Sequence, residues 1–323
     1  TNWGCYTCKI NYIMMKKLSL LFVSIFIMPM VYSQQLPQLT QFMINDYTIN
    51  PAVAGMEDYY QIRTSIRNQW VGIEDAPKTT LLSIYGKNSN NVGLGGSVFN
   101  DQVGPTSRAG ASLTYAYHLN ITESLKLSLA LSGGFTQFKI DKEGWVLADR
   151  DDNLLQGAET IDLVPDATFG LNLYDPSNKW YIGFSIPQLL NSKLTLIDDD
   201  FINNVSVDMD GSLSRHFYTM GLYNMRLNSY WDLQPSFLYK TVSSQSQFDI
   251  GVKTIYNDKF WMGIDYRNNG DMSALLGFTI QDRYILGYSY DIPNSELNEF
   301  TTGSHEFMFG LTFIPATEKQ IMR

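Results

Sequence analysis

The sequence has few cysteines, few histidines and little charge, and it has no long apolar run after residue 33. The two cysteines, Cys5 and Cys8, have a C-x-x-C spacing, but both precede a segment with the features of a secretion leader. A redox site at such a motif would also need a thioredoxin-like βαβ context, which is missing. Without a later run of about 18 apolar residues, the pattern excludes membrane-spanning helices.

The first 33 residues predict export. A short positive region around Lys16 and Lys17 precedes an apolar run over residues 18–31, and Ser33 is a small residue suited to cleavage. The apolar run is shorter than the roughly 20 residues of a spanning helix, so cleavage after Ser33 is favoured over a retained signal anchor. We assign residues 1–13 to a spurious upstream extension and residues 14–33 to the signal peptide.

The composition suits a membrane protein that crosses with strands. Charged residues are only 17% of the chain, which is low for a soluble surface, and aromatic residues reach 14%. Such an aromatic content favours strands and the aromatic girdles of outer-membrane barrels. Without Lys9, Lys16 and Lys17 of the leader region, the net charge of −9 becomes −12. An acidic chain of this kind argues against nucleic acid as a partner.

From residue 59 onward, segment after segment alternates apolar and polar residues, as in the run Leu125, Leu127, Leu129 and Leu131. A period of two places one apolar and one polar face on a strand. The fold class predicted is all-β, a transmembrane antiparallel β-barrel of about 14 strands. The predicted strands cover residues 59–70, 78–87, 92–100, 107–119, 124–138, 166–174, 179–188, 213–226, 230–242, 246–256, 259–267, 271–281, 283–292 and 304–314.

When the connections between the predicted strands are numbered in chain order, their lengths differ between odd and even numbers. Even-numbered connections are short, whereas the odd-numbered ones include every long loop, among them 139–165 and 189–212. Outer-membrane barrels have short periplasmic turns and longer outer loops, so parity places residues 34–58 on the periplasmic side. We expect residues 34–58 to be a periplasmic tail or a plug, residues 59–315 the outer-membrane barrel, and residues 316–323 a C-terminal tail.

Charged strand residues should face the lumen, because an Arg or Lys facing mid-bilayer lipid costs about 2–4 kcal/mol. If Arg67 faces the lumen, alternation sends Trp70 to the lipid interface, and Arg67 could hold a plug through Asp46 or Asp58. Proline lacks a ladder donor, so we expect a strand end at Pro187 and a bulge at Pro235.

Several spaced motifs in residues 35–120 carry a family resemblance. They are an Asn-Pro-Ala with a following Gly at 50–55, Arg-x-Gln-Trp-Val-Gly at 67–72, Ala-Pro-x-Thr at 76–79 and Asp-x-x-Gly-Pro at 101–105. Together they resemble the PorP/SprF family of type IX secretion system membrane proteins. The positions that match the family pattern, as structural or partner-binding residues, are Asn50, Pro51, Ala52, Gly55, Arg67, Gln69, Trp70, Pro77, Asp101, Gly104 and Pro105.

The resemblance implies an outer-membrane barrel, without enzymatic activity or cofactor, that works with the type IX machinery of gliding and pathogenic bacteria. Its implied partners are outer-membrane lipid, a secreted adhesin or other type IX cargo, and a periplasmic peptidoglycan-binding lipoprotein. Some members are core secretion components, and others support the export or surface anchoring of one adhesin.

Two other functions stay open from the residues alone. A polar lumen also fits an outer-membrane channel for small-solute uptake. A hydrolase would need a nucleophile beside a base, and the three histidines, His118, His216 and His305, have no nucleophile-elbow motif near them. In the acidic loops, Asp208 and Asp210 resemble a fragment of a calcium loop but lack its distant Glu. We therefore expect solvated outer loops and assign no metal site, and weak calcium or partner binding stays an open alternative.

Overall fold

The computed structural model describes residues 36–141, 159–194, 211–243, 245–294 and 296–313. Fourteen antiparallel strands form the wall of a closed barrel in these residues. They are β1 (Tyr60–Asn68), β2 (Lys78–Ser89), β3 (Val92–Val103), β4 (Thr106–Thr122), β5 (Leu125–Asp141), β6 (Glu159–Tyr174), β7 (Trp180–Ile186), β8 (His216–Tyr223), β9 (Trp231–Val242), β10 (Gln245–Tyr256), β11 (Phe260–Arg267), β12 (Met272–Ile280), β13 (Tyr284–Ile292) and β14 (Ser304–Phe313).

The sheet closes because its first and last strands pair. β1 runs antiparallel to β14 from the Tyr60–Phe313 pair to the Asn68–His305 pair, and every other strand pairs with its sequence neighbours. Closure leaves no open edge, which is the condition for a sheet to cross a bilayer. The predicted fold class and strand count are therefore confirmed, with most strand ends within two or three residues of the prediction. In the described part of the chain, no helix has the length and hydropathy to cross a membrane.

The two ends of the barrel differ in their connections. At one end, the short-turn end, strands join through tight connections such as the one centred on Asn257 and Asp258, both of which have positive φ angles. The opposite end, the long-loop end, carries the connections 69–77, 187–215 and 293–303. The connection 104–105 at this end is as tight as those at the short-turn end. The longest loops thus share one end, as parity predicted.

Side-chain facing follows the alternation. In β1, Arg63, Ser65 and Arg67 are almost fully buried on the inward face, whereas Ile66 is 49% exposed on the outward face. The outward face carries an apolar band that includes Phe260, Met262, Ile264, Tyr266, Phe307, Phe309 and Phe313. Charged side chains of the strands therefore gather inside, as the cost of exposing them to lipid predicts.

The prolines behave partly as predicted. β7 ends at Ile186, directly before Pro187, as expected. The bulge expected at Pro235 is wrong, because β9 and β10 keep one register through the Pro235–Val252 pair. Instead, the β8–β9 ladder stops after the Leu222–Ser236 pair and resumes in the same register at Met225–Leu233.

Strand β6 begins earlier than predicted, at Glu159, and therefore contains Pro165, which the sequence places in a loop. β5 lies beside β6 along its whole length, but β7 pairs with it only from Phe169 to Tyr174. Pro165 thus occupies a stretch with one neighbouring strand, where a missing ladder donor is tolerated. Residues of the long connection after β7 pack on this stretch, where Leu194 and Leu213 form a buried cluster with Val164 of β6.

Candidate functional site: the barrel lumen and its N-terminal segment

Residues 36–58, the N-terminal segment, contact the inward face of the barrel from one end to the other. The segment contains three 3-10 turns, Gln41–Met43, Asp46–Thr48 and Pro51–Val53. Its apolar residues are buried, including Phe42, Tyr47 and Val53. Each packs against inward side chains of the wall, so the segment and the wall share two buried clusters.

The segment begins at the long-loop end. Thr40 donates its backbone N–H to Glu306 at 2.7 Å, and its hydroxyl donates to Asp291 at 2.8 Å. Arg67 donates to the hydroxyl oxygen of Thr40 at 2.8 Å and is ion-paired with Asp291. With its amide oxygen assigned toward the guanidinium, Gln38 accepts from Arg267 at 2.6 Å. A buried polar network thus holds this end of the segment.

The middle of the segment is held by an aromatic stack. The rings of Tyr47 and Tyr85 are stacked, with centroids 4.4 Å apart and planes 12° apart. The Tyr47 hydroxyl is 2.6 Å from that of Thr114, which in turn is 2.6 Å from the hydroxyl of Ser132.

The segment ends at the short-turn end. The carbonyl oxygen of Ala54 lies 2.8 Å from Nε2 of His118, and Nδ1 of the same ring lies 2.7 Å from the Tyr174 hydroxyl. Asn178, in the turn between β6 and β7, donates to Glu57 at 2.8 Å. Burial, reinforced by the charge of Asp46, raises the pKa of Glu57 to about 7.

Glycines in the wall make room for the segment. An ideal β-carbon on Gly93 would lie 1.9 Å from the carbonyl oxygen of Ala54, and one on Gly170 would lie 2.4 Å from Oδ1 of Asn50. A β-carbon on Gly183 would lie 2.5 Å from Nδ2 of Asn50, and one on Gly251 would lie 1.9 Å from Cε of Met43, a flexible side-chain end that can move aside. At Gly93 and Gly170 a side chain would meet the backbone of the segment, so the sequence of the wall is fitted to the segment there.

The first four family-pattern residues lie in the segment. Asn50 is fully buried; it donates to the Leu171 carbonyl at 2.9 Å and accepts from the Ala52 N–H at 3.0 Å, so it caps the turn that Pro51 begins. Gly55 has a φ of +88° and lies against Gly93, where a side chain would have no space.

The remaining seven lie at the long-loop end. Gln69 donates to the Pro77 carbonyl at 2.9 Å, which closes the β1–β2 loop, and Trp70 follows with a φ of 47°. Gly104 and Pro105 form the tight β3–β4 turn, with Gly104 at a φ of 55°. Two further contacts place the pattern in the lumen: Asp101 accepts from Thr79 and is ion-paired with Arg108, and Arg67 belongs to the network described above.

Two expectations about these residues are wrong. Arg67 does not pair with Asp46 or Asp58 but with Asp291 and Glu306, while Asp58 is ion-paired with Lys87. Trp70 lies beyond the end of β1, where alternation no longer applies, and it borders a cavity that Arg67 also lines rather than the lipid interface. For residues 34–58 the sequence left a periplasmic tail and a plug open, and residues 36–58 contact both ends of the barrel, as a plug would.

That cavity, the vestibule, has a volume of about 430 Å³ and opens at the long-loop end. Its walls include Leu36, Gln38, Arg67, Trp70, Lys240 and Arg267. A second cavity of about 170 Å³ lies between the segment and the wall from β2 to β9. The charged strand residues, which the sequence predicts to face the lumen, include Lys240, Arg267, Asp291 and Glu306. Neither Gln38 nor the pairing of these side chains could be identified from the sequence, because they share no local motif.

The following contacts of His216 and His305 do not pair either ring with a serine hydroxyl, as a hydrolase site would need. His216 contacts the backbone carbonyl of Ser214 at 2.8 Å rather than its hydroxyl, and His305 contacts the Tyr288 hydroxyl at 2.7 Å. Among the described residues, no group of three or more His, Cys, Asp or Glu side chains is placed to hold a metal ion. Asp208 and Asp210 lie outside the described residues.

A closed barrel of alternating strands with an outward apolar band and an inward polar lining is an outer-membrane protein. The family model of the type IX secretion system membrane protein PorP/SprF matches residues 31–311. The chain belongs to this family, as its motifs predicted. The long-loop end is accordingly the outer end and the short-turn end the periplasmic end.

Solved structures with a similar fold are also outer-membrane barrels. The Ralstonia pickettii toluene transporter TbuX matches with a TM-score of 0.50 at 9% identity, covering 82% of this chain and 92% of that chain. The CymD monoaromatic hydrocarbon channel matches with a TM-score of 0.49 at 11% identity, covering 85% and 92%. At such identities the likeness shows the fold alone. No curated protein matches the sequence.

Proposed function

We propose that this chain is a lumen-closed outer-membrane partner of the type IX secretion system, which supports the export or surface anchoring of a secreted adhesin-type protein. On its periplasmic side it would be linked to a peptidoglycan-binding lipoprotein. The association with the type IX secretion system rests on membership of the family. The closed lumen and the two partners are what we propose in addition.

The observation that carries the proposal is the fit between wall and segment. A channel for solutes needs a continuous water path, and its lumen is lined by groups that solute or water can reach. Here the inward faces of Gly93, Gly170 and Gly183 are in contact with residues 50–54 instead. Buried hydrogen bonds from Thr40 and Tyr47 to the wall would all have to break before a solute could pass.

The family-pattern residues divide between the two ends under this proposal. Asn50, Pro51, Ala52 and Gly55 shape the segment where it meets the wall, and their role is structural. Gln69 and Trp70 border the vestibule at the cell surface, where an exported partner would dock. Aromatic side chains at such a rim are well suited to a protein interface, because they bury a large area at little entropic cost.

Copurification tests the partners. The protein carrying a C-terminal tag is extracted from the outer membrane in mild detergent, and the bound proteins are identified by mass spectrometry. The proposal expects a large secreted protein together with a periplasmic lipoprotein, and the Trp70→Ala variant is expected to lose the secreted partner while retaining the lipoprotein. Recovery of the folded barrel alone, from cells that secrete normally, would contradict the proposal.

Conductance tests the closed lumen separately. Purified protein in a planar bilayer is expected to show no steady ion conductance. Steady, single-sized conductance steps from the wild-type protein would instead favour the alternative function, an outer-membrane channel for small-solute uptake. The two cavities on either side of the segment would then be parts of its pathway.

A further inference from the structure

The outward face of the barrel carries a cavity where it faces lipid. Its volume of about 370 Å³ lies within the range of about 300–1,000 Å³ that is usual for ligand sites, and it spans the four adjacent strands β12, β13, β14 and β1. We propose that this cavity, the lipid-facing groove, binds one acyl chain of a phosphorylated glycolipid of the lipid A class, whose phosphate lies beside Lys78 and His305. The proposal does not depend on which partner the barrel serves.

The registers of the four strands place the side chains of the groove in two rows. Each row crosses the strands through directly opposed residues. The row nearer the outer end contains Leu276, Tyr288, Phe307 and Ile66, and the next row toward the periplasm contains Phe278, Leu286, Phe309 and Thr64. Apart from the hydroxyls of Tyr288 and Thr64 these side chains are apolar, so the groove suits a hydrocarbon chain.

A polar row lies directly on the outer side of the groove. Two residues farther out along β13, β14 and β1 are Tyr290, His305 and Asn68, and the partner of Asn68 in β2 is Lys78, which is exposed. Strand residues rise about 3.4 Å each, so the polar row lies about 7 Å beyond the nearer row of the groove. A cation and hydrogen-bond donors at this distance fit the phosphate of a lipid whose chain occupies the groove.

Tyr288 connects the groove to the polar row. Its ring centroid is 5.0 Å from that of Phe307 in the groove, and its hydroxyl lies 2.7 Å from Nδ1 of His305. When the hydroxyl donates this bond, the ring proton of His305 is on Nε2, which can donate to a phosphate oxygen. The ring of Tyr290 lies against the same histidine, with centroids 5.2 Å apart. Two aromatic neighbours thus orient His305 at the border of the groove.

The position of the groove along the strands selects the outer leaflet. β14 begins at its outer end with Ser304, and Phe307 and Phe309 are its fourth and sixth residues. The five steps from Ser304 to Phe309, on a strand tilted by about 40°, cover about 13 Å along the membrane normal, which is about half of the 25 Å apolar band. The groove therefore lies in the outer half of the band, among the chains of the glycolipid that forms the outer leaflet.

The polar row, rather than the groove, should set the preference for this lipid. An acyl chain that enters the groove leaves a surrounding of other acyl chains, so only closer packing favours it there. A phosphate beside Lys78 and His305 gains charge-assisted hydrogen bonds, which a lipid without that phosphate cannot make. We therefore expect selective binding to require the phosphate.

Native mass spectrometry of the folded, delipidated barrel in detergent tests the site. The probes are diphosphoryl lipid A, the same lipid without its phosphates, and phosphatidylethanolamine. Lys78→Gln removes the charge, and its control is Arg215→Gln, an exposed cation before β8 on the far side of the barrel. Thr64→Trp fills the groove, and its control is Leu163→Trp, at a position of β6 that is 62% exposed.

The proposal expects the wild-type protein to bind one molecule of diphosphoryl lipid A more tightly than either other probe. K78Q should weaken this binding about fivefold, the effect of one lysine near an anionic membrane surface. T64W should abolish it, whereas R215Q and L163W should bind as the wild-type protein does. With the probe that lacks phosphates, K78Q and the wild-type protein should bind equally weakly.

Equal binding of the three probes by the wild-type protein would show an ordinary lipid annulus and overturn the proposal. Equal losses in K78Q and R215Q would overturn it as well. A wild-type mass of two barrels that T64W reduces to one would assign the groove to a second copy of the chain instead. Folding is checked by the heat-dependent shift of the barrel on a gel. Because Lys78 is an exposed residue at the start of β2, K78Q keeps the fold, and its comparison with R215Q decides alone where T64W does not fold.

Discussion

Gly93 in β3 and Ala54 in the N-terminal segment lie so close that a β-carbon on Gly93 would be 1.9 Å from the carbonyl oxygen of Ala54. Backbone occupies that space, so it cannot be vacated by a side-chain rotation. We expect Gly93→Val to displace the segment from the wall at the periplasmic end. Chymotrypsin should then cleave at Phe42 or Tyr47 in the folded barrel, and ion conductance should appear in planar bilayers.

Gly133 supplies the matched control for this substitution. It lies in β5, two strands away from β3 in the wall, and a β-carbon there would meet no atom within 4 Å. Gly133→Val should leave both protease resistance and conductance as in the wild-type protein. If the two valine variants behave alike, the contact between Gly93 and Ala54 does not hold the segment.

Arg67 neutralises two buried carboxylates, and its removal should be costly. Arg67→Ala leaves Asp291 and Glu306 buried without their cation, a change that typically costs about 3–5 kcal/mol. The melting temperature of the barrel in detergent should fall, and the outer part of the segment, next to Thr40, should gain the fastest hydrogen exchange.

Two comparisons identify the cause of that loss. Arg226, which is 54% exposed and paired with Asp232 in a periplasmic turn, is the control, because such surface pairs contribute at most about 1 kcal/mol. A triple variant, Arg67→Met with Asp291→Asn and Glu306→Gln, removes the unpaired charges and should recover part of the stability. Equal effects of Arg67→Ala and Arg226→Ala would refute the assignment.

The strands could be predicted from sequence because each one carries its own signal. Within β1, alternation alone decides that Arg63 and Arg67 face inward and Ile66 faces outward. Closure of the sheet is then expected, because lipid cannot satisfy the hydrogen bonds of an open edge strand. The sequence predicts a strand that starts at residue 166, whereas β6 starts at Glu159 and contains Pro165. A proline is tolerated in β6 at this position because β7 is too short to pair with it there. The length of a neighbouring strand cannot be inferred from the sequence of β6 itself.

The path of the N-terminal segment could not be predicted in this way. Its contacts join Thr40 to Asp291 and Glu306, more than two hundred residues later in the chain. No periodicity or motif in the sequence indicates which acidic residue pairs with Arg67. The two acids proposed because they are close in sequence, Asp46 and Asp58, were wrong. Wall glycines such as Gly170 were the one available signal, since glycine weakens a strand unless a backbone or ligand approaches closely.

Two substitutions of Tyr47 distinguish what its ring and its hydroxyl each contribute to the free energy of unfolding. Tyr47→Phe keeps the stack on Tyr85 and loses the bond to Thr114, which still has Ser132 as a partner. We therefore expect a loss of about 1 kcal/mol. Tyr47→Ala also empties the buried ring site and should cost about 3–5 kcal/mol. Chemical unfolding in detergent measures both, and a Phe variant as unstable as the Ala variant would contradict this division.

Glu57 should make attachment of the segment depend on pH. Burial and the charge of Asp46 raise its pKa from 4.5 to about 7 in the folded protein. Between these values the folded state holds a proton that the detached segment releases, so attachment is strongest below pH 4.5 and weakens as the pH rises to about 7. Chymotrypsin cleavage of the segment should therefore increase over this range.

Glu57→Gln tests that origin of the pH dependence, because its amide oxygen can still accept from Asn178 but does not titrate. Cleavage of this variant should stay flat across the range. The matched control is Asp175→Asn in the same periplasmic turn. Hydrogen bonds from Ser177 lower the pKa of Asp175, so it is already ionised throughout the range and its loss should leave the pH dependence unchanged. A Glu57→Gln protein that follows the wild-type pH profile would place the titrating group elsewhere.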